Sequence, residues 1–319
     1  MQNPNTIEFR QIRDFGDVLN VTFQFLRQNF SKLGKSLLLW VAPFVVAAML
    51  FNVLIQLRFF PLDPAKLQEG TETGELLLLY LGMLVFSLCG ISMAFGVVYG
   101  FMALYERHGT ADFELDEVWQ RARSTFFPML GTLLSIVLLM TMVYSFLIIA
   151  LSIFGGIVGG GVLTGFLVIV AVFGGILVAV YFAITFALMF PIMINEPIGL
   201  IGGMQRCFYL VKNQWWATFG VLFIAWLISS ILGGVFSIPM LIILFTNNLH
   251  AGQANIIVQL MMVVFGILGG LASALFYGIP LVATGLQYFN LVECKDRAGL
   301  MQRVDSVTKK PEEFSVDEE

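Results

Sequence analysis

Six stretches of this chain each run for twenty residues or more without one Asp, Glu, Lys, Arg or His: residues 36–56, 77–104, 127–154, 162–190, 217–245 and 256–287. A helix that crosses hydrocarbon needs about 20 consecutive apolar residues at roughly 1.5 Å of rise each. All six stretches meet that length, and most exceed it, which permits tilt or extension beyond the hydrocarbon. Of the 319 residues, 58% are hydrophobic and only 12% charged, and the mean hydropathy is +0.88. A water-soluble domain carries about a quarter charged residues, and no soluble core absorbs such an apolar excess, because the remaining surface must face water. The expected fold is therefore an all-α polytopic membrane helical bundle of six transmembrane helices.

Charge sets the expected orientation. With the N-terminus in the cytosol, only Arg58 and Lys66 of the 17 Lys and Arg fall on the outer side. Cations near short loops stay on the side from which a chain inserts, so both termini are expected in the cytosol and the location is the bacterial inner (cytoplasmic) membrane. The first 35 residues mix Glu8, Arg10, Arg13, Asp14, Asp17 and Arg27. That is not the basic head and short apolar run of a cleaved leader, so the first apolar stretch reads as an uncleaved anchor. Residues 1–299 read as a single transmembrane domain. Residues 300–319, with Lys309, Lys310, Pro311, Glu312 and Glu313, read as a disordered acidic cytosolic tail.

The spans are punctuated alike, which points to three repeat units over about 12–106, 112–196 and 198–293. Each odd-numbered span is entered through an aromatic, then Leu or Phe, then Gly, at Phe30/Leu33/Gly34, Phe127/Leu130/Gly131 and Trp216/Phe219/Gly220. Five residues before each aromatic stands an apolar residue, Phe25, Ala122 or Val211. Each entry is preceded by a stretch with helical apolar periodicity. Its apolar side is Phe15, Val18, Thr22, Phe25 or Leu26, and Phe30 in the first unit, Leu115, Val118, Trp119, Ala122 and Phe126 in the second, and Ile198, Ile201, Gln205, Phe208, Val211 and Trp215 in the third. These three are expected to be cytosolic interfacial amphipathic helices lying in the headgroup plane. The even spans end on Glu106, Glu196 and Glu293, each just past an apolar run.

Those three glutamates, with Arg206, are the candidate polar site at the cytosolic rim. Two readings stand: convergence on a shared site that holds Arg206 or a ligand's cation, or three helix ends that each meet water or a nearby arginine. Little else in the chain points to chemistry. The net charge of −4 with dispersed cations argues against nucleic acid. Cys89, Cys207 and Cys294 form no Cys-x-x-Cys pair and read as free thiols. His108 and His250 fall on opposite sides of the membrane, too few and too far apart for a multi-imidazole centre, so neither a metal nor another cofactor is expected. No nucleophile elbow or phosphate-binding loop occurs. Pro43, Pro239 and Pro280 lie inside spans and free backbone carbonyls there, as helix kinks that line cavities do. Pro128 is expected near the first turn of its span. The glycines at 155–161 read as a tight apolar turn.

In the third unit Glu196, Met204, Arg206, Leu210, Lys212, Trp215, Trp216, Phe219 and Gly220 resemble a stretch of the membrane domain fused to some bacterial glycerophosphoryl diester phosphodiesterases, and of the related YciC-like integral membrane proteins. That stretch reads Ala-Leu-x-Arg-Ser, Leu-x-Lys-Gly, Trp and Phe-Gly. The chain departs from it at Gly203 and Met204 in place of Ala and Leu, at Cys207 in place of Ser, and at Asn213 in place of Gly. The resemblance implies a six-span membrane module over most of residues 10–300 and carries no hydrolase with it, since the acids and histidines of a phosphodiesterase are missing. The function expected from all this is a non-enzymatic integral membrane protein, a scaffold or accessory module of the cell envelope that contacts membrane lipids or a partner protein. The alternative is a permease or flippase-like carrier for a lipidic or amphiphilic substrate.

Overall fold

The structure, a computed structural model, describes residues 6–59, 73–158, 161–249 and 256–297. Among these are ten helices and no strand: α1 (Phe15–Trp40), α2 (Ala42–Phe59), α3 (Thr73–His108), α4 (Leu115–Val158), α5 (Val162–Ala187), α6 (Met189–Asn195), α7 (Leu200–Val211), α8 (Trp215–Leu249), α9 (Ile256–Phe276) and α10 (Gly278–Asp296). The expected acidic tail, most of the loop between Arg58 and Gly74 expected on the outer side, and most of the turn before Asn255 fall outside the described residues. Five helical segments are long and apolar enough to cross a membrane by themselves, and α1 with α2, bent by 50°, makes a sixth if the pair counts as one span. No more than 28% of the most apolar window of any of the five is buried by protein. Apolar surface on that scale needs hydrocarbon around it, and the chain is a multi-pass membrane protein.

Prolines decide where the helices break. Pro43 has no N–H for the carbonyl of Leu39 and its ring crowds that carbonyl, so α1 stops at Trp40 and α2 leaves at an angle. Residues 36–56 are thus no uniform span: their first turn completes α1, whose buried face runs Val18, Thr22, Phe25, Asn29, Leu33 and Leu37. Pro191 breaks α5 from α6 by denying a donor to Ala187, and Pro280 breaks α9 from α10 by denying one to Phe276. The Phe276 carbonyl is recovered across the bundle, where Ser229 Oγ of α8 donates to it at 2.9 Å. Pro128 departs from expectation. The second amphipathic stretch and the third span are one helix, α4, so this proline sits deep inside it and not at a first turn. α4 also continues through Gly155 and Gly156 to Val158, which shortens the expected glycine turn.

The amphipathic stretches bury only part of their expected apolar sides. In α1 Val18, Thr22 and Phe25 are buried as their periodicity predicts, but Phe15 and Phe30 are exposed. In α4 Val118 and Ala122 are buried. In α7 the expected stripe is mostly the outer face: Ile201, Gln205 and Phe208 are exposed, and Gly203, Cys207, Leu210 and Val211 are buried. Small residues explain the reversal. A Cβ on Gly203 would stand 2.7 Å from Met189 Cε, so glycine lets α7 lie hard against α6 while its bulky apolar residues turn outward to lipid. The turn from α7 into α8 passes through Asn213 at φ 68°. Asparagine visits this left-handed region more readily than other residues with a Cβ, and it does so where the resembled stretch has glycine.

At the centre stands α10, buried continuously from Gly278 to Glu293. It packs against α1, α3, α6, α7 and α8, and Gly285 admits Met102 of α3, whose sulfur a Cβ there would meet at 2.7 Å. The hairpins α2/α3 and α8/α9 pack along their length and against each other through α2 and α9, whereas α4 and α5 touch sparingly. Removing the hydroxyl in Ser229→Ala leaves the Phe276 carbonyl without a donor in a water-free interior. Equilibrium unfolding in mixed micelles should show a loss of about 1 kcal/mol, against no change if that carbonyl is served otherwise.

Candidate functional site

The three glutamates finish α3, α6 and α10 at one end of the bundle, and the N-terminal segment before α1 lies across that end. Ile7 and Phe9 are buried there. The Phe9 ring sits 5.5 Å from Phe25, 5.3 Å from Tyr105 and 5.3 Å from Phe289. Tyr105 Oη accepts the Ile7 N–H at 3.2 Å. Four residues on, Asn290 treats the Arg13 peptide as a neighbouring strand would: its Oδ1 accepts the Arg13 N–H at 2.9 Å and its Nδ2 donates to the Arg13 carbonyl at 3.1 Å. With these pairs formed, Arg10 reaches Glu106, Nε to Oε1 at 2.7 Å, with its guanidinium 6.0 Å from the Phe289 ring centre.

Glu196 is held from two sides. Its backbone is extended where α6 ends, which turns the side chain toward α10, and Tyr288 donates to its Oε1 at 3.0 Å. Arg206 of α7 closes the pair, Nε to Oε2 at 3.0 Å, and also grips Asp296 at the end of α10. Burial lowers the Arg206 pKa, but hydrogen bonding to Asp296 and the charge of Glu196 outweigh it, so the guanidinium is held more firmly protonated than usual. Glu293, on the same helix, is 6% exposed.

The predicted site residues thus share one end of the bundle, but in different associations. Glu196 and Arg206 form a direct pair, while Glu106 pairs with Arg10. Sequence reasoning missed Arg10, Tyr288, Asn290 and Asp296. Tyr288 and Asn290 occupy an apolar-looking run and only their burial gives them roles, and nothing in sequence order links Arg10 to a residue 96 positions away. Chemically the arrangement is a clasp: carboxylates neutralised by guanidinium groups, one of them also held by a phenol, with an amide that ties the N-terminal backbone to α10 beside them. His108 lies outside it, exposed, with Nδ1 3.0 Å from the Leu104 carbonyl. Among the described residues no group of three or more His, Cys, Asp and Glu is placed to hold a metal ion.

A second feature lies among the spans. A cleft of about 610 Å³ opens between α2, α3, α8 and α9. Val45, Met49, Phe86, Phe265 and Gly266 are among its walls, and its polar groups come from Asn52, Gln56, Ser87, Ser237, Ser273 and Tyr277. No glutamate of the clasp lines it.

No family model, curated protein or solved structure matches this chain. Its residues and their geometry therefore carry the functional reading.

Cys207 is buried in the contact between α6 and α7, with Sγ 3.9 Å from Met189 Sδ. Burial, with the charge of Glu196, pushes its thiol up to about 12. A raised pKa keeps it a neutral thiol at neutral pH, and the thiolate is the nucleophile. Mass spectrometry after N-ethylmaleimide treatment of the folded protein should find Cys207 unmodified until the protein is unfolded. Modification at the rate of a free cysteine would mean that α7 does not stay docked.

Proposed function

We propose that this chain is a non-enzymatic integral membrane module, a scaffold or accessory protein of the cell envelope that contacts lipid and docks a partner, in line with the membrane-domain family it resembles. The observation that carries the reading is the clasp. Glu106 and Glu196, the polar groups best placed for chemistry, are taken up by Arg10 and Arg206 in holding the chain together. Charge-assisted pairs of this kind hold both partners in a fixed geometry.

In this reading the six apolar stretches make six spans, built as three units of amphipathic helix and hairpin, in the inner membrane with both termini cytosolic. The lopsided count of cations supports the orientation. Burial supports the repeat: the matched positions Phe25, Ala122 and Val211 are 0%, 0% and 2% exposed, and the matched aromatics Phe30, Phe127 and Trp216 are 52%, 77% and 77% exposed. The units differ in packing, since the second hairpin splays where the first and third close. Of these aromatics, Trp216 has the amphipathic ring that suits the headgroup region.

The cleft among the spans favours a second reading, a carrier for an amphiphile. Vesicles containing the purified protein and a trace of fluorescent phospholipid, treated with dithionite from outside, separate the two. The scaffold reading predicts bleaching of about half the fluorescence, as in protein-free vesicles. Bleaching well beyond half on the same timescale would replace it with the carrier reading.

A further inference from the structure

We infer that the cleft between α2, α3, α8 and α9 is a binding site for an uncharged lipid whose headgroup carries a free hydroxyl, seated with that hydroxyl on Gln56. The inference goes beyond the scaffold reading, which holds whether or not the cleft is filled.

Shape comes first. The cleft runs beside α2 from the preceding Val41 to Gln56, about 22 Å at the rise of an α-helix, which exceeds one leaflet's half of the roughly 30 Å hydrocarbon core. Its volume of about 610 Å³ falls within the roughly 300–1,000 Å³ of small-molecule sites. Glycines set its walls. A Cβ would meet Phe44 at 3.2 Å from Gly90, Ser237 at 3.1 Å from Gly269 and Met49 at 3.0 Å from Gly270, so the helices touch at these points. At Gly266 a Cβ would meet nothing within 4 Å. The space there is open although the helices around it are in contact, and an apolar gap forfeits dispersion on every wall until an apolar chain occupies it.

Polarity then selects the headgroup. Among the described residues no Asp, Glu, Lys, Arg or His lines the cleft, so along these walls a phosphate or ammonium would stand with its charge uncompensated. At the Gln56 end, Gln56 Nε2 donates to Asn52 Oδ1 at 2.7 Å and Asn52 Nδ2 points at Met83 Sδ at 3.7 Å. Gln56 Oε1 is buried without a hydrogen-bond partner among the described residues. A buried acceptor without a donor is costly. A lipid hydroxyl supplies the donor, and because it also accepts, it serves whichever edge of the amide faces it. The acyl chain then lies along Met49 and Val45 past Gly266.

The test places the full-length protein in phosphatidylcholine nanodiscs with a trace of diacylglycerol bearing a diazirine at its acyl end. A matched diazirine phosphatidylcholine, which has no donor, is the comparator. After photolysis the diacylglycerol should label peptides of α2, α3, α8 and α9 about tenfold more than the comparator does, and Gln56→Leu should remove that advantage. Gly266→Phe should abolish cleft labelling by both lipids and leave labelling at the outward residues Phe173 and Leu177 unchanged, which also reports that the variant is folded. Should Gly266→Phe fail to fold, Gln56→Leu still decides the matter. Equal labelling of the cleft by the two lipids, labelling by neither, or an advantage that survives Gln56→Leu would each overturn the inference.

Discussion

The transfer of long uncharged helix faces from water into hydrocarbon is the constraint on which the rest of this structure depends. Once the outer faces of α3, α4, α5, α8 and α9 are dissolved in lipid, their contacts with one another gain nothing from excluding water, and association must come from close packing and from polar pairs. The bundle shows both devices in separate places. Glycines bring backbones together at Gly285 against α3 and at Gly270 against α2. Polar pairs collect along α10, where Gln287 Nε2 reaches Thr218 Oγ1 at 3.1 Å and Tyr288 reaches Glu196.

That division explains why α10 is central. Apart from α1 it is the least apolar of the long helices, and it could not face lipid with Thr284, Gln287, Asn290 and Glu293 on its surface. It is buried instead, and the neighbours that bury it use those same groups. The N-terminal segment completes the enclosure. Phe9 fills the space between Phe25, Tyr105 and Phe289, and Asn290 reads the Arg13 backbone in both directions. One end of the molecule is therefore tied by charge and amide, while the middle keeps an apolar cleft with no charged side chain among its described walls.

Much of this was legible in the sequence, because hydropathy is a property of each stretch alone. The all-helical fold and the multi-pass membrane class follow from uninterrupted apolar length, and the inward placement of Val18, Phe25, Val118 and Ala122 follows from helical periodicity. Helix breaks were harder. Pro43, Pro191 and Pro280 each end a helix, but Pro128 and Pro239 do not, and the difference depends on neighbours that sequence order does not name. The face of α7 was misread because both of its sides are apolar, so periodicity could not tell protein from lipid. Only the small size of Gly203 and Cys207 marked the packed side. The pairing of Arg206 with Glu196 was within reach, since the two lie 10 positions apart, whereas the partnership of Arg10 with Glu106 depends on the path of the whole first unit.

Collision accessibility of nitroxide labels in lipid bilayers tests the central claim most directly. Labels at the outward positions Phe173, Leu241 and Val264, and at the buried Leu286, would be compared for quenching by oxygen, which concentrates in hydrocarbon, and by a water-soluble nickel chelate. The account predicts strong relaxation by oxygen and almost none by nickel at the three outward sites, with neither reagent reaching Leu286. Strong relaxation by nickel at Phe173, Leu241 and Val264 would place those faces in water and contradict it.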